Sequence, residues 1–274
     1  MKYKLIAIDM DGTLLNSQNK ISERNIKALQ EAIKRGIYVV LATGRILKSA
    51  LYYSKFLESN NPIIACNGAI IYCGYGKDII YEKTIGVNLS KKIIELAEEN
   101  NLYYHFYNKD TFYYKKRDGS AKKYYKFYGD NIGKQGIKFK ALKEPIEVLN
   151  GKELNIYKFV FIEDDKDKLL DFREKLKSIE KINISSSWSN NIEVMDESVS
   201  KGSGLKHLCK SLNIDRSQVV AIGDNENDIS MFEMSGLAIA MENGDEIAKK
   251  HSHVVTDTND QNGVAKAIEE YVLI

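Results

Sequence analysis

Prolines number two, tryptophans one, cysteines three and histidines four in this chain of 274 residues. No stretch rich in proline or glycine marks a linker, so domain edges must be read from changes of pattern. Cys66, Cys73 and Cys209 are scattered and form no CxxC pair. Such an odd, sparse set argues against a disulfide framework and fits structural, reduced thiols in a cytoplasmic protein. His251 and His253 stand two apart without a cysteine or a second histidine pair beside them, so no metal is expected there. No apolar run reaches the roughly 18 residues of a membrane span. Asp9 and Asp11 interrupt the one early apolar run, which argues against a signal peptide. The net charge of +2 is too small to imply a nucleic-acid or membrane partner. Hydrophobic content of 43% and charged content of 28% are those of a globular chain, here long enough for two domains.

What the chain does have is a set of apolar runs that end in polar, chemically capable residues. Leu5-Ile6-Ala7-Ile8 reads as a buried strand and runs straight into Asp9-Met10-Asp11-Gly12-Thr13. Burying carboxylates at a strand end is unfavourable unless a cation or hydrogen bonds compensate. Two such aspartates, followed by a glycine that lets backbone amides approach a ligand, point to a metal-assisted phosphoryl site. The plain alternative is a solvated Asp-Gly turn. Three further segments weigh against that alternative. The run from Tyr38 to Ala42 ends in Thr43-Gly44-Arg45, and the run from Val219 to Ile222 ends in Gly223-Asp224-Asn225-Glu226-Asn227-Asp228. Ser200-Lys201-Gly202 places a lysine at the head of a helical pattern. In a parallel sheet ligands bind at the carboxyl ends of the strands, so these scattered segments can converge.

Ile26, Leu29 and Ile33 behind Ser22 predict a capped helix stopped by Gly36. Strands over 37–42 and 62–66 and a helix over 46–57 complete a β-α-β-α-β pattern, which implies a mostly parallel sheet covered on both faces. Residues 69–84 read as a hairpin around Gly74-Tyr75-Gly76. From about 85 to about 192 the character changes. A helix starting at Ser90 leads to a stretch crowded with Tyr and Phe and then a strand over 157–162. A helix carrying Leu169, Phe172 and Leu176 and a strand from Ser187 to Val194 follow. That order suggests a small α+β domain with an antiparallel sheet. The parallel pattern resumes at Lys201 with a Leu205, Leu208 and Leu212 stripe, and continues to a terminal helix over 264–272. The expected division is a discontinuous α/β core, 1–84 and 193–274, with an inserted domain, 85–192. Between Tyr103 and Tyr128, eleven aromatics are interleaved with Lys115, Lys116, Arg117, Lys122, Lys123 and Lys126. A half-buried sheet accounts for them better than a nucleic-acid surface, because no nucleic-acid motif accompanies them.

Taken in order, Asp9-x-Asp11-Gly12-Thr13, Ala42-Thr43-Gly44-Arg45, Val199-Ser200-Lys201-Gly202 and Gly223-Asp224-x-x-Asn227-Asp228 resemble the haloacid dehalogenase-like phosphatases. The nearest branch is that of the Cof-like sugar phosphatases with a class IIB cap, and the resemblance covers the chain nearly end to end. It implies a Rossmann-like, mostly parallel core with an α+β cap inserted at 85–192. It implies Asp9 as a nucleophile that forms an aspartyl-phosphate. Asp11 would protonate the leaving alkoxide and then deprotonate the attacking water. Asp9, Asp224 and the Asp11 backbone carbonyl would hold Mg²⁺, and Asp228 matches a position that supports the metal through its waters or holds Lys201. Thr43 and the Gly44 amide form a natural anion site where a strand feeds a helix. Lys201 offers a mobile charge to the phosphoryl oxygens, and the Met10 amide completes the cradle. Asn227 donates to the substrate phosphate or to a neighbouring loop. Arg45 follows the family pattern, and a purely structural ion pair would explain it equally well. The expected activity is that of a cytoplasmic, Mg²⁺-dependent phosphatase acting on a small-molecule phosphate monoester such as a sugar phosphate. The alternatives are a phosphotransferase or phosphomutase using the same intermediate, or a non-catalytic protein that binds a phosphorylated ligand.

Overall fold

The computed structural model describes residues 2–58, 60–74, 78–115, 135–149 and 154–274. The chain forms two compact units. One comprises Met1–Arg45, Ala50–Glu82 and Ser200–Ile274, the other Ile46–Ser49 and Lys83–Val199. In chain order the first unit begins with β1 (Leu5–Ile8), α1 (Glu23–Lys34), β2 (Tyr38–Ala42), α2 (Leu47–Ser54), β3 (Ile63–Ala65), β4 (Ile70–Cys73) and β5 (Asp78–Glu82). The second unit follows with α3 (Val87–Glu99), β6 (Tyr103–Tyr107), β7 (Thr111–Lys115), β8 (Lys138–Leu142), β9 (Lys158–Ile162), α4 (Lys166–Leu176), β10 (Ile182–Ser185) and β11 (Asn191–Asp196). The first unit then resumes with α5 (Lys201–Leu212), β12 (Val219–Gly223), α6 (Ile229–Glu233), β13 (Leu237–Met241), α7 (Glu246–Lys250), β14 (Val254–Thr256) and α8 (Gly263–Tyr271).

The first unit carries an eight-stranded sheet in the order β14-β13-β12-β1-β2-β3-β4-β5. The six strands from β14 to β3 are parallel, and the β4–β5 hairpin closes one edge antiparallel. Every residue of β1 and β12 is buried, as a parallel sheet covered on both faces requires. Leu5, Ala7, Val219 and Ala221 pack with Leu205 and Leu208 of α5 and Met231 and Phe232 of α6. Each fully buried aliphatic side chain of that kind contributes about 1.5–3 kcal/mol. Ser22 caps α1 as expected, its side chain accepting from the Asn25 amide. The buried stripe of α1 is Asn25, Ala28, Leu29 and Ala32, with Ile26 and Ile33 at its half-buried edges. Asn25 is tied to α8, where its Oδ1 accepts from the Ala265 amide. The helix expected over 46–57 is α2 followed by a 3₁₀ turn at Lys55–Leu57.

The second unit is a six-stranded sheet in the order β10-β11-β9-β6-β7-β8, antiparallel except for the β7–β8 pair. α3 and α4 cover one face, packing Ile93, Ile94, Leu169 and Phe172 against Tyr104, Phe106, Phe159 and Phe161. The other face carries Tyr103, His105, Tyr107 and Phe112, and on it a buried ion pair joins Lys158 to Glu193 at 2.7 Å. His105 stacks on Phe112 at 4.3 Å and meets the Tyr107 hydroxyl through Nε2. Burial, and then the nearby Lys158 charge, hold that imidazole well below the usual histidine value. The aromatic run is therefore strand packing as far as Lys115, and its part from Lys116 to Tyr128 lies outside the described residues.

Three expectations need correction. The inserted segment does not end at 192, because that position lies inside β11, hydrogen-bonded to β9 and β10; the unit continues to Val199. The helix does not start at Ser90 but at Val87, with Gly86 in extended conformation as its cap and Ser90 buried one turn inside. Residues 187–190 are a turn rather than strand, because Asn191 Oδ1 accepts from the Ser187 and Trp188 amides.

Candidate active site

β1 sits between β2 and β12, with the chain leaving toward one neighbour and returning through the other. Such a switch point opens a crevice at the carboxyl ends of the strands. Asp9 is the first residue beyond β1 and Thr43 the first beyond β2; Cys66 follows β3 and Asp224 follows β12. Lys201 is the first residue of α5, fixed by a capping box in which Ser200 and Ser203 satisfy each other's backbone amides.

Lys201 joins these segments. Its ammonium lies 2.5 Å from Asp9 Oδ1 and 2.6 Å from Asp228 Oδ1, and its side chain is wholly buried. The expected mobile charge is thus a fixed one. A cation at a helix N-terminus opposes the helix dipole, so the two carboxylates must offset that as well as desolvation. Burial alone would lower the Lys201 ammonium, yet Asp228 and Asp9 hold it above the usual lysine value. The second oxygen of Asp228 accepts from the Asp224 and Asn225 amides at 2.8 and 3.0 Å. Both its oxygens are committed.

Asp224 is oriented from two sides. Thr13 Oγ1 donates to its Oδ1 at 2.6 Å and Asn225 Nδ2 to its Oδ2 at 2.5 Å. Gly12, at φ +79°, makes room for it, since a Cβ there would lie 2.4 Å from Asp224 Oδ2. Oxygens of Asp9, Asp224 and Asp228 all lie within 4.8 Å of one another. Burial pushes Asp9 up to about 7 against the pull of Lys201. Burial, then the charges of Asp9 and Asp228, raise Asp224 well above the usual carboxylate range. Three buried carboxylates against one ammonium leave an uncompensated negative site built of hard oxygen donors, a set that fits a small divalent cation.

Asp11 is arranged differently. Its carboxylate forms a two-pronged pair with Arg45, through Nε at 2.7 Å and Nη2 at 2.5 Å, and Arg45 is almost wholly buried. The guanidinium also lies 5.2 Å from the Tyr53 ring centroid. The structure therefore joins Asp11 to Arg45 rather than to the three-carboxylate cluster. Thr43 is fully buried, and its hydroxyl accepts from the Arg45 amide at 3.1 Å. That leaves the hydroxyl proton to donate to a ligand. Gly44 follows, half-buried. Met10 lies in the loop between Asp9 and Gly12, its side chain buried and its carbonyl accepting from the Leu15 amide. Asn227 donates to Asn67 Oδ1 at 3.4 Å.

The sequence reading assigned nothing to Thr13, Asn225 or Asn67, although all three hold site residues in place. Thr13 and Asn225 stand inside the quoted motifs. Asn67-Gly68 directly after an apolar strand is a turn signal that would have singled out the third.

The family model of the haloacid dehalogenase-like hydrolases matches residues 6–268, a span that contains every residue of the site. The chain belongs to that family. This haloacid dehalogenase-like chain is 35% identical to the 5-amino-6-(5-phospho-D-ribitylamino)uracil phosphatase YwtE of Bacillus subtilis, over 97% of each sequence. It is 26% identical to the pyridoxal phosphate phosphatase YbhA of Escherichia coli over the whole of both. A solved haloacid dehalogenase-like hydrolase from B. subtilis superposes with a TM-score of 0.89 at 30% identity, covering 98% of this chain and all of that one. The two relatives named here are phosphatases, which places the chain among the phosphoric monoester hydrolases.

Proposed function

We propose that the chain hydrolyses phosphate monoesters of small organic molecules by forming a phosphoryl-enzyme on Asp9. The observation that carries this reading is the buried Asp9–Lys201–Asp228 chain beside an oriented Asp224. A structural core has no use for three clustered carboxylates, whereas a phosphoryl dianion needs both a nucleophile and positive charge nearby. Asp9 and Asp224 would hold Mg²⁺ together with the Asp11 backbone carbonyl, and Asp228, its oxygens already committed, would act through Lys201 and bound water. The ion, when bound, neutralises charge on the phosphoryl oxygens.

In the first step an Asp9 oxygen attacks phosphorus and the P–O bond to the organic group breaks, the leaving alkoxide taking a proton from Asp11. In the second, water attacks the same phosphorus and gives a proton to Asp11, and the bond to Asp9 breaks. Thr43 donates its hydroxyl, and the Met10 and Gly44 amides and the Lys201 ammonium hold the phosphoryl oxygens. Arg45 holds both oxygens of Asp11 in the resting structure. One of those oxygens must part from Arg45 before Asp11 can reach the leaving group. The second unit serves as the cap that selects the organic portion of the substrate.

The relatives named above act on a ribityl phosphate and on pyridoxal phosphate, so the first compounds to try are phosphorylated sugars, sugar alcohols and vitamin precursors. A cytoplasmic setting belongs to the same reading, since an odd, sparse set of three cysteines argues against a disulfide framework. A screen for phosphate release from a metabolite panel, with and without Mg²⁺ and with an added alcohol acceptor, tests the reading. Release that requires Mg²⁺ and is independent of the alcohol is expected. Transfer to the alcohol would make the chain a phosphotransferase, and binding without turnover would make it a binding protein.

A further inference from the structure

Directly after β3 the chain passes through three residues with positive φ, Cys66 at 50°, Asn67 at 56° and Gly68 at 99°. Left-handed backbone is uncommon for any residue but glycine, and rare for cysteine. Where it persists, the surroundings enforce it, and such outliers cluster at functional sites. Here the turn touches three segments of the site that are far apart in sequence. The Cys66 amide donates to the Arg45 carbonyl and the Asn67 amide to the Thr43 carbonyl, each at 3.0 Å. Asn67 Oδ1 accepts from Asn227 Nδ2. Gly68 lies against the helix that starts at Lys201, where a Cβ would stand 2.1 Å from the Ser200 carbonyl oxygen. Asn67 is almost fully buried and is not among the groups that would meet a phosphate.

We propose that Asn67 is a positioning residue for the phosphate site, an inference that rests on the phosphatase reading above. Its amide fixes the Thr43 backbone and thereby the direction of the Thr43 hydroxyl. Its side-chain oxygen engages one N–H of the Asn227 amide and turns the other toward the phosphate. The left-handed turn in which it stands lets Gly68 admit the Lys201 helix at close range. Asparagine suits the position because it tolerates left-handed backbone and carries an acceptor of the right length.

The test uses the full chain with two probes, inorganic phosphate bound in the presence of Mg²⁺ and turnover of an aryl phosphate. Asn67→Gly tolerates the same backbone conformation and removes the side-chain amide, its acceptor oxygen included. Phosphate binding should weaken and KM rise by about tenfold, the size of one hydrogen bond to an anion, with kcat changed less. Asn67→Ala should do more, since it also disfavours the turn, and Asn67→Asp should weaken phosphate binding beyond Asn67→Gly by adding a buried negative charge. In an Asn227→Ala background, Asn67→Gly should have little further effect, because the two act through one contact. Wild-type phosphate affinity and KM in Asn67→Gly, or losses that multiply fully in the double variant, would overturn the proposal while leaving the phosphatase reading intact. A wild-type chain that neither binds phosphate nor turns over would instead remove that reading, and the positioning role with it.

Discussion

Asp228 should be the residue whose loss costs the first unit most stability for the fewest atoms removed. It is completely buried and serves three donors at once, the Lys201 ammonium and the amides of Asp224 and Asn225. Asp228→Ala leaves an ammonium with Asp9 as its one remaining carboxylate and strips both amides of this acceptor. Removing one partner of a buried pair costs about 3–5 kcal/mol, and each orphaned buried donor about 1–3 kcal/mol. These overlap, because Lys201 keeps Asp9, so a net loss of about 4 kcal/mol is the working figure. At about 2–4 °C per kcal/mol that lowers the melting temperature by about 8–16 °C. Asp228→Asn keeps one acceptor oxygen and should lose less than half as much. Arg24→Ala, which breaks a pair with Glu269 whose side chains are 53% and 43% exposed, should cost under about 1 kcal/mol and serves as control. Thermal melting followed by circular dichroism reads all three. If Asp228→Ala melted within about 2 °C of wild type, the buried carboxylate would not be holding the site together, and the reasoning would fail.

Asp9→Asn should retain the fold and lose turnover by about three orders of magnitude or more, as expected when a nucleophilic oxygen is replaced by an amide; near-normal turnover would remove Asp9 as nucleophile. Asp11→Asn should slow a sugar phosphate by about 10²–10⁴-fold but an aryl phosphate much less, since a good leaving group needs no acid. Equal losses on both would withdraw the acid role. Activity should vanish on chelation and return with Mg²⁺. Metal-free protein should also grow less stable as pH rises from about 4 to about 7, because folded Asp9 titrates near 7 and unfolded Asp9 near 3.8. The folded state binds more protons over that range, so its advantage is lost as they leave. Added Mg²⁺ should therefore raise the melting temperature more at pH 8 than at pH 5, and equal shifts would contradict the assignment.

The parts of the site legible in the sequence are those where local patterning and function coincide. A strand that runs into Asp9, Thr43 or Asp224 announces both its burial and the polar group at its end. The Lys201 helix was visible from its leucine stripe and from Ser200 ahead of it. Contacts between distant segments were not legible. The partner of Arg45 lies 34 residues earlier, and that of Thr13 lies 211 residues later. Only the folded sheet brings them together. The boundary at 192 was misplaced for a related reason: β11 is buried along nearly its whole length and no linker delimits it, so composition cannot show which sheet it joins. The start of α3 was placed at Ser90 rather than Val87 because Gly86, which caps through backbone geometry alone, carries no side-chain signal.

The site concentrates unfavourable electrostatics where the scaffold is least able to yield. Lys201 stands at the wrong end of a helix dipole, and Asp9 and Asp224 are buried carboxylates whose pKa values burial raises. Each is nevertheless held by groups on fully packed elements: Ser200 and Ser203 at the head of α5, Thr13 on the loop after β1, and the Asp228 carboxylate against two backbone amides. A site made only to be stable would replace these charges with apolar side chains, often at no cost. On the mechanism proposed above, keeping them gives the benefit of the preorganised charges to the approaching phosphoryl group rather than to the folding reaction. The same logic separates Asp11 from its neighbours. Asp11 is held by Arg45 and Asp9 by Lys201, so the proposed acid and the proposed nucleophile rest on different cations.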